Sequence, residues 1–187
     1  RTYSYLGYNP GSYPQKAQYF DTIRQLYPWR TVSLREIRQG VMPLWNPYNF
    51  SGAPLLANTQ SAIFYPLNLV YFLVTQPIAW TILVMLQPLL ASIGAYLFAG
   101  KIGIGRSGSL LSGITYGYSL FMTAFLEYNT LGHVMVWLPF VLYGVELLLE
   151  KLTVKAMLLF VLSITMSALA GHLQLFAYIV IFSYLYF

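Results

Sequence analysis

The stretch IAWTILVMLQPLLASIGAYLFA, residues 78–99, contains no Asp, Glu, Lys or Arg in 22 positions. Coiled as an α-helix it extends about 33 Å at 1.5 Å per residue, enough to cross the roughly 30 Å hydrocarbon core of a bilayer. The rest of the chain has the same character. Of its 187 residues 58% are hydrophobic and 8% charged, and the mean hydropathy is +0.61. Soluble globular domains do not have this composition, so the expected fold class is an all-α integral membrane helix bundle.

C-terminal to this helix, apolar runs at 109–126, 134–149, 156–170 and 173–187 are separated by the short polar breaks GKIGIGRSG, EYNTLGH, EKLTVK and Gly171-His172. N-terminal to it, residues 1–76 hold six of the ten basic residues and seven of the ten prolines. Two regions follow: a polar, aromatic segment at 1–76 and membrane helices over 77–187. The chain starts at Arg1 without a methionine and ends inside the apolar run LQLFAYIVIFSYLYF, so it reads as a fragment of a larger protein with any leader outside it. It has no cysteine, which excludes disulfides and thiolate metal sites. A net charge of +5, spread near apolar segments and nowhere clustered, points to anionic lipid or phosphate as partner in preference to nucleic acid.

The cations set an orientation. Lys101 and Arg106 lie in one break and Lys151 and Lys155 in another, whereas EYNTLGH and Gly171-His172 carry no Lys or Arg. The positive-inside rule makes the first two breaks cytoplasmic. Alternation then places 1–76, Glu127, His133 and His172 on the extracytoplasmic side of a multi-pass protein. The basic residues within 1–76 do not oppose this, because long segments translocate largely regardless of charge.

Within 1–76, Phe20, Ile23 and Tyr27 recur at helical spacing, and Leu34, Ile37 and Val41 oppose Arg35 and Arg38. These patterns predict two short amphipathic helices at the membrane surface, broken by Pro28 and stopped by Gly40. From residue 43 to residue 66, Pro, Asn and Gly recur so densely that an ordered irregular loop is expected. Ser109, Gly113 and Gly117, four apart, predict close helix packing, and Pro88 and Pro139 predict kinks.

Asp21 and Arg24, three apart, suit either a local ion pair or a general base beside a phosphate-binding cation. His133 and His172 sit next to glycines at helix ends and share the predicted outer face with Asp21 and Glu127, so they are candidate pocket residues. No His-x-x-x-His or similar spacing indicates a metal, although a divalent ion is compatible with the chemistry expected below.

Three segments together, FDTIRQLYPWR at 20–30, GVMPLWNPYNFSGAPLLANTQSAIFYPLNL at 40–69 and GHLQ at 171–174, resemble the YfhO-type family of bacterial multi-pass membrane proteins. That family is grouped with the GT-C glycosyltransferases. The resemblance implies a protein of ten or more membrane helices in the cytoplasmic membrane, moving a sugar from a polyprenyl-phosphate donor to a glycan or lipid acceptor on the outer face. It implies Asp21 as catalytic base, and the nearby cations Arg24, Arg30 and Arg35 are then the expected phosphate-binding set. Substrate contacts would come from Trp45, Asn46, Asn58, Gln60, Glu127, His133, His172 and Gln174, with Asn49, Gly52 and Gly171 also matching the pattern. The chain departs from the wider class in two respects: Asp21 has no acidic neighbour before Glu36, and the twenty residues before it contain no membrane helix pattern. Two other roles fit the same residues, a transporter or flippase for a lipid-linked sugar and a non-catalytic scaffold for envelope assembly.

Overall fold

A computed structural model describes residues 21–49 and 51–187 of the chain and is mostly helical. Phe20, part of the first amphipathic pattern, lies outside the described residues.

The first helical segment is continuous where two pieces were expected. Pro28 lacks an N–H, and its ring crowds the carbonyl four residues earlier, which ordinarily kinks or ends a helix. Here the preceding turn widens into a π-helix, Thr22–Leu26, with Tyr27 N–H donating five residues back to Thr22 O. The α-helix α1, Tyr27–Arg38, follows directly, with Pro28 in its first turn. Gly40 stops it as predicted: at φ 75° its N–H donates to Ile37 O, while Val41 N–H donates to Glu36 O. This pairing closes the last turn in a Schellman motif.

The Pro/Asn/Gly-rich segment is ordered around a minimal antiparallel ladder. Strand β1, Trp45–Asn46, pairs with β2, Ala53–Pro54, in the register Trp45 to Pro54 and Asn46 to Ala53. The chain then makes a 3₁₀ turn, Pro66–Leu69, and a single helical turn α2, Val70–Leu73.

The bundle begins with α3, Gln76–Lys101, whose 26 residues enclose the charge-free stretch and carry Pro88 inside. The apolar run 109–126, expected as one segment, is two helices: α4, Arg106–Gly117, and α5, Leu120–Ala124. Ser119 makes the break. Its backbone is extended (ψ 159°) and its side chain accepts the Met122 N–H, capping α5. A 3₁₀ turn, Leu126–Tyr128, leads to α6, Leu131–Val136, and α7, Leu138–Glu150. Helices α8, Val154–Leu169, and α9, Leu173–Tyr186, complete the described chain. Among the described residues two stretches are long and apolar enough to cross a membrane, α3 and the 20-residue Leu131–Glu150 formed by α6 and α7; α8 and α9 are apolar but shorter.

Small residues set the helix spacing. A Cβ on Gly113 would lie 2.7 Å from Ser92 O and one on Gly117 2.7 Å from Pro88 O, so α4 lies against α3 backbone to backbone. Gly94 faces the Phe140 ring of α7, and Gly144 faces the Phe160 backbone of α8. The ends sort by charge. Lys101 of α3 forms an ion pair with Glu150 of α7, and Tyr186 of α9 donates to Glu146, which gathers the C-terminal ends of α3, α7 and α9. The polar breaks that carry no cation lie at the opposite end, where Trp80 Nε1 donates to Glu127 O and Asn129 Nδ2 to Trp80 O. The main core, Tyr65, Val134, Val141, Met166, Ala170 and Ile179 with Ala62, joins that polar end to α6–α9.

Candidate functional site

Arg30 is the hub of this end. It is 2% exposed, and its Nη1 donates to the Tyr71 hydroxyl at 2.9 Å. Its guanidinium carbon lies 5.1 Å from the ring centres of both Tyr71 and Trp80. Two aromatic faces stabilise a desolvated cation by about 2 kcal/mol or more, yet among the described residues Nε and Nη2 have no hydrogen-bond partner. Among the described residues no carboxylate lies within ion-pair distance of Arg30. A small cavity beside it is lined by Ser33, Ser61 and Asn68, whose Oδ1 is also unpartnered. Burial pushes the Tyr71 phenol above its usual range, against the opposing pull of Arg30.

The other members of the predicted phosphate set differ from Arg30. Arg24 is exposed on the π-turn, and Arg35 is exposed on α1. Arg35 donates to the Tyr48 hydroxyl at 2.7 Å and lies over that ring at 5.2 Å. Asp21 is exposed, and its carboxylate accepts from Gln25 Nε2 at 3.4 Å. The π-turn that carries Arg24 packs on the turn that carries Glu127, so Asp21, Arg24 and Glu127 belong to one neighbourhood. The Tyr27 ring, 5.5 Å from Trp80, links this group to Arg30.

The two motifs of the resemblance meet in space. Gly171, at φ 99°, is so close to residues 59–62 that a Cβ there would lie 3.0 Å from Ala62 Cβ and 3.1 Å from Thr59 O. Thr59 and Ala62 adopt φ 59° and 48°, conformations that cost non-glycine residues on the order of 1–3 kcal/mol each. Asn58 Oδ1, accepting from Ser61 N–H, and Asn68 Nδ2, donating to Ala62 O at 2.6 Å, hold the turn. Gln60 is half-buried within it. Asn46 is buried and Oδ1 accepts from Tyr48 N–H, whereas Trp45 is half-exposed over Gly52.

The histidines separate. His172 is half-buried and caps α9, its Nδ1 accepting from Leu175 N–H at 3.4 Å; burial holds its pKa below the ordinary value. Gln174, exposed two residues on, donates to Tyr178. His133 is fully buried on α6 and lines no exposed surface. Its Nε2 faces Leu83 O at 3.1 Å, an acceptor only, so Nε2 carries the proton and Nδ1 accepts from the Tyr65 hydroxyl at 3.2 Å. Tyr65 in turn accepts from Trp137 Nε1 at 3.0 Å. Each donor of this chain has an acceptor, so His133 ties the loop to α3 and α6. Sequence reading missed Tyr65, Tyr71, Trp80 and Trp137, the partners of its candidates. Their aromatic character was visible, but their pairings span 41 to 72 residues.

Among the described residues no three of His, Cys, Asp and Glu converge to hold a metal ion. No family model, curated protein or solved structure matches this chain.

Proposed function

We propose that the chain is part of a GT-C-type membrane glycosyltransferase, resembling the YfhO-type proteins, that moves a sugar from a polyprenyl phosphate to a glycan or lipid acceptor on the outer face of the bacterial cytoplasmic membrane. The observation that carries this reading is the convergence of residues 58–62 with Gly171-His172 at the end of the bundle that also holds Asp21, Arg24, Arg30 and Glu127. The membrane setting is supported by the outward sides of the helices, where Met85, Leu111, Leu158 and Leu162 are more than half exposed. Such a surface suits hydrocarbon.

In this reading Asp21 takes the proton of an acceptor hydroxyl, whose oxygen attacks the anomeric carbon of the donor sugar. The bond to the lipid phosphate breaks, and the departing phosphate keeps the electron pair. Arg24 offers planar guanidinium donors to that charge, and Arg30 adds a fixed positive field from within; Arg35, bonded to Tyr48 and turned to the groove beside α1, stays outside this set. Trp45, Asn58, Gln60, Glu127, His172 and Gln174 line the acceptor and sugar side. His133 and Asn46 act from behind, fixing the elements that carry these side chains.

Transfer of radiolabelled sugar from an undecaprenyl-phosphate donor, in membranes containing the full-length protein, tests the assignment. Asp21→Asn is expected to lower the rate about 100-fold or more, the usual contribution of a general base. Wild-type transfer by a correctly inserted Asp21→Asn protein would refute Asp21 as base. Absence of transfer by the unaltered protein would favour the transporter or scaffold role.

A further inference from the structure

A groove of about 710 Å³ runs between α1 and the turn joining α2 to α3. Arg35 and Arg38 line it on one side, Leu34, Phe72 and Leu73 form its apolar wall, and Gln76 closes it at the start of α3. No acidic residue lines it. Its walls are fixed: Gln76 Nε2 donates to Tyr27 O at 3.1 Å, Thr31 Oγ1 lies 3.0 Å from Gln76 Oε1, and Arg38 Nη2 donates to Tyr71 O at 2.9 Å. Leu34 and Phe72 also border the cavity of the buried, uncompensated Arg30. The groove thus combines two guanidinium groups, a third positive charge behind them and an apolar wall in which Leu73 is 81% exposed. This juxtaposition of positive charge and apolar surface complements the phosphate and first acyl carbons of an anionic lipid.

We infer that this groove binds one anionic phospholipid of the surrounding bilayer, its phosphate between Arg35 and Arg38 and its acyl chain starting along Phe72 and Leu73. The inference rests on the membrane reading given above. It assigns Arg38 and Leu73 a role in holding a resident lipid, distinct from the sugar donor.

Extraction of membranes with alkaline carbonate comes first: release of the protein would refute the membrane reading itself. With the protein retained, native mass spectrometry of the full chain in non-ionic detergent tests the groove. Phosphatidylglycerol is expected to remain as a single adduct, phosphatidylcholine to be lost, and R35Q/R38Q to weaken the phosphatidylglycerol adduct at least tenfold. Leu73→Gln, at an exposed position, provides the arm that does not disturb folding and is expected to weaken the lipid adduct severalfold. Equal retention of both lipids, or an adduct indifferent to all these substitutions, would overturn the proposal. So would displacement by millimolar inorganic phosphate, which would make this a free-phosphate site. Displacement by equimolar undecaprenyl phosphate would also overturn it, assigning the groove to the donor.

Discussion

His172 shows how one side chain couples a helix start to pH. Its neutral Nδ1 accepts the Leu175 N–H, and burial disfavours the cation. The unfolded chain takes up a proton near the ordinary histidine pKa of about 6.5, and the folded chain only at lower pH. The contribution is therefore complete above that unfolded value and is lost as pH falls through the folded pKa. Thermal unfolding in detergent is expected to show a lower melting temperature at pH 5 than at pH 7.5. His172→Asn, which keeps a capping acceptor, should reduce that difference, and His172→Ala should cost about 1 kcal/mol or less at the higher pH. The two histidines looked equivalent in sequence, each beside a glycine at a helix end. They differ because Tyr65 and Leu83, far away in sequence, enclose one of them, and no local pattern records an enclosure made by distant residues.

Helix α4 shows what an element needs from its neighbour. A Cβ on Gly117 would run into Ser92 Oγ and lie 2.7 Å from the Pro88 carbonyl, so the small residue is what lets α4 meet α3 at the turn that holds Pro88. Gly117→Ala is expected to destabilise the bundle by about 1–3 kcal/mol through overpacking, measured as a lower melting temperature in detergent. Gly100→Ala, whose Cβ would meet nothing closer than Ser109 Oγ at 3.6 Å, is the control expected to cost little. The repeat of small residues every fourth position was legible because packing needs that spacing. The end of α4 was not, since Gly117, Tyr118 and Ser119 are all tolerated inside an apolar run and only the backbone turn at Ser119 separates the helices. Pro28 misled for the opposite reason. A proline normally marks a break, and whether a wider turn absorbs it depends on packing of the residues before it.

For the molecule as a whole, the pairing of Lys101 with Glu150 and of residues 59–62 with Gly171 gives the bundle two chemically distinct ends. Because the chain has no cysteine, single cysteines can report which end faces which compartment. In intact cells an impermeant maleimide is expected to label Ser51→Cys and to leave Lys151→Cys unlabelled until the membrane is opened; the reverse pattern would invert the proposed orientation. The long charge-free run made α3 legible almost to its ends, and the alternation of cationic and uncharged breaks put residues 1–76 and His172 on one side; the contact of residues 59–62 with Gly171 was not legible, because it joins segments far apart in sequence. The π-turn at Thr22–Leu26 has a consequence of phase. An α-helix advances about 100° per residue, and a π-turn holds one residue more than an α-turn would. Removing one residue between positions 22 and 26 would restore an ordinary helix and swing Asp21 by about that angle around its axis. The wide turn thus acts as an angular offset, setting the direction in which the only carboxylate of the first 35 residues points from an otherwise regular rod.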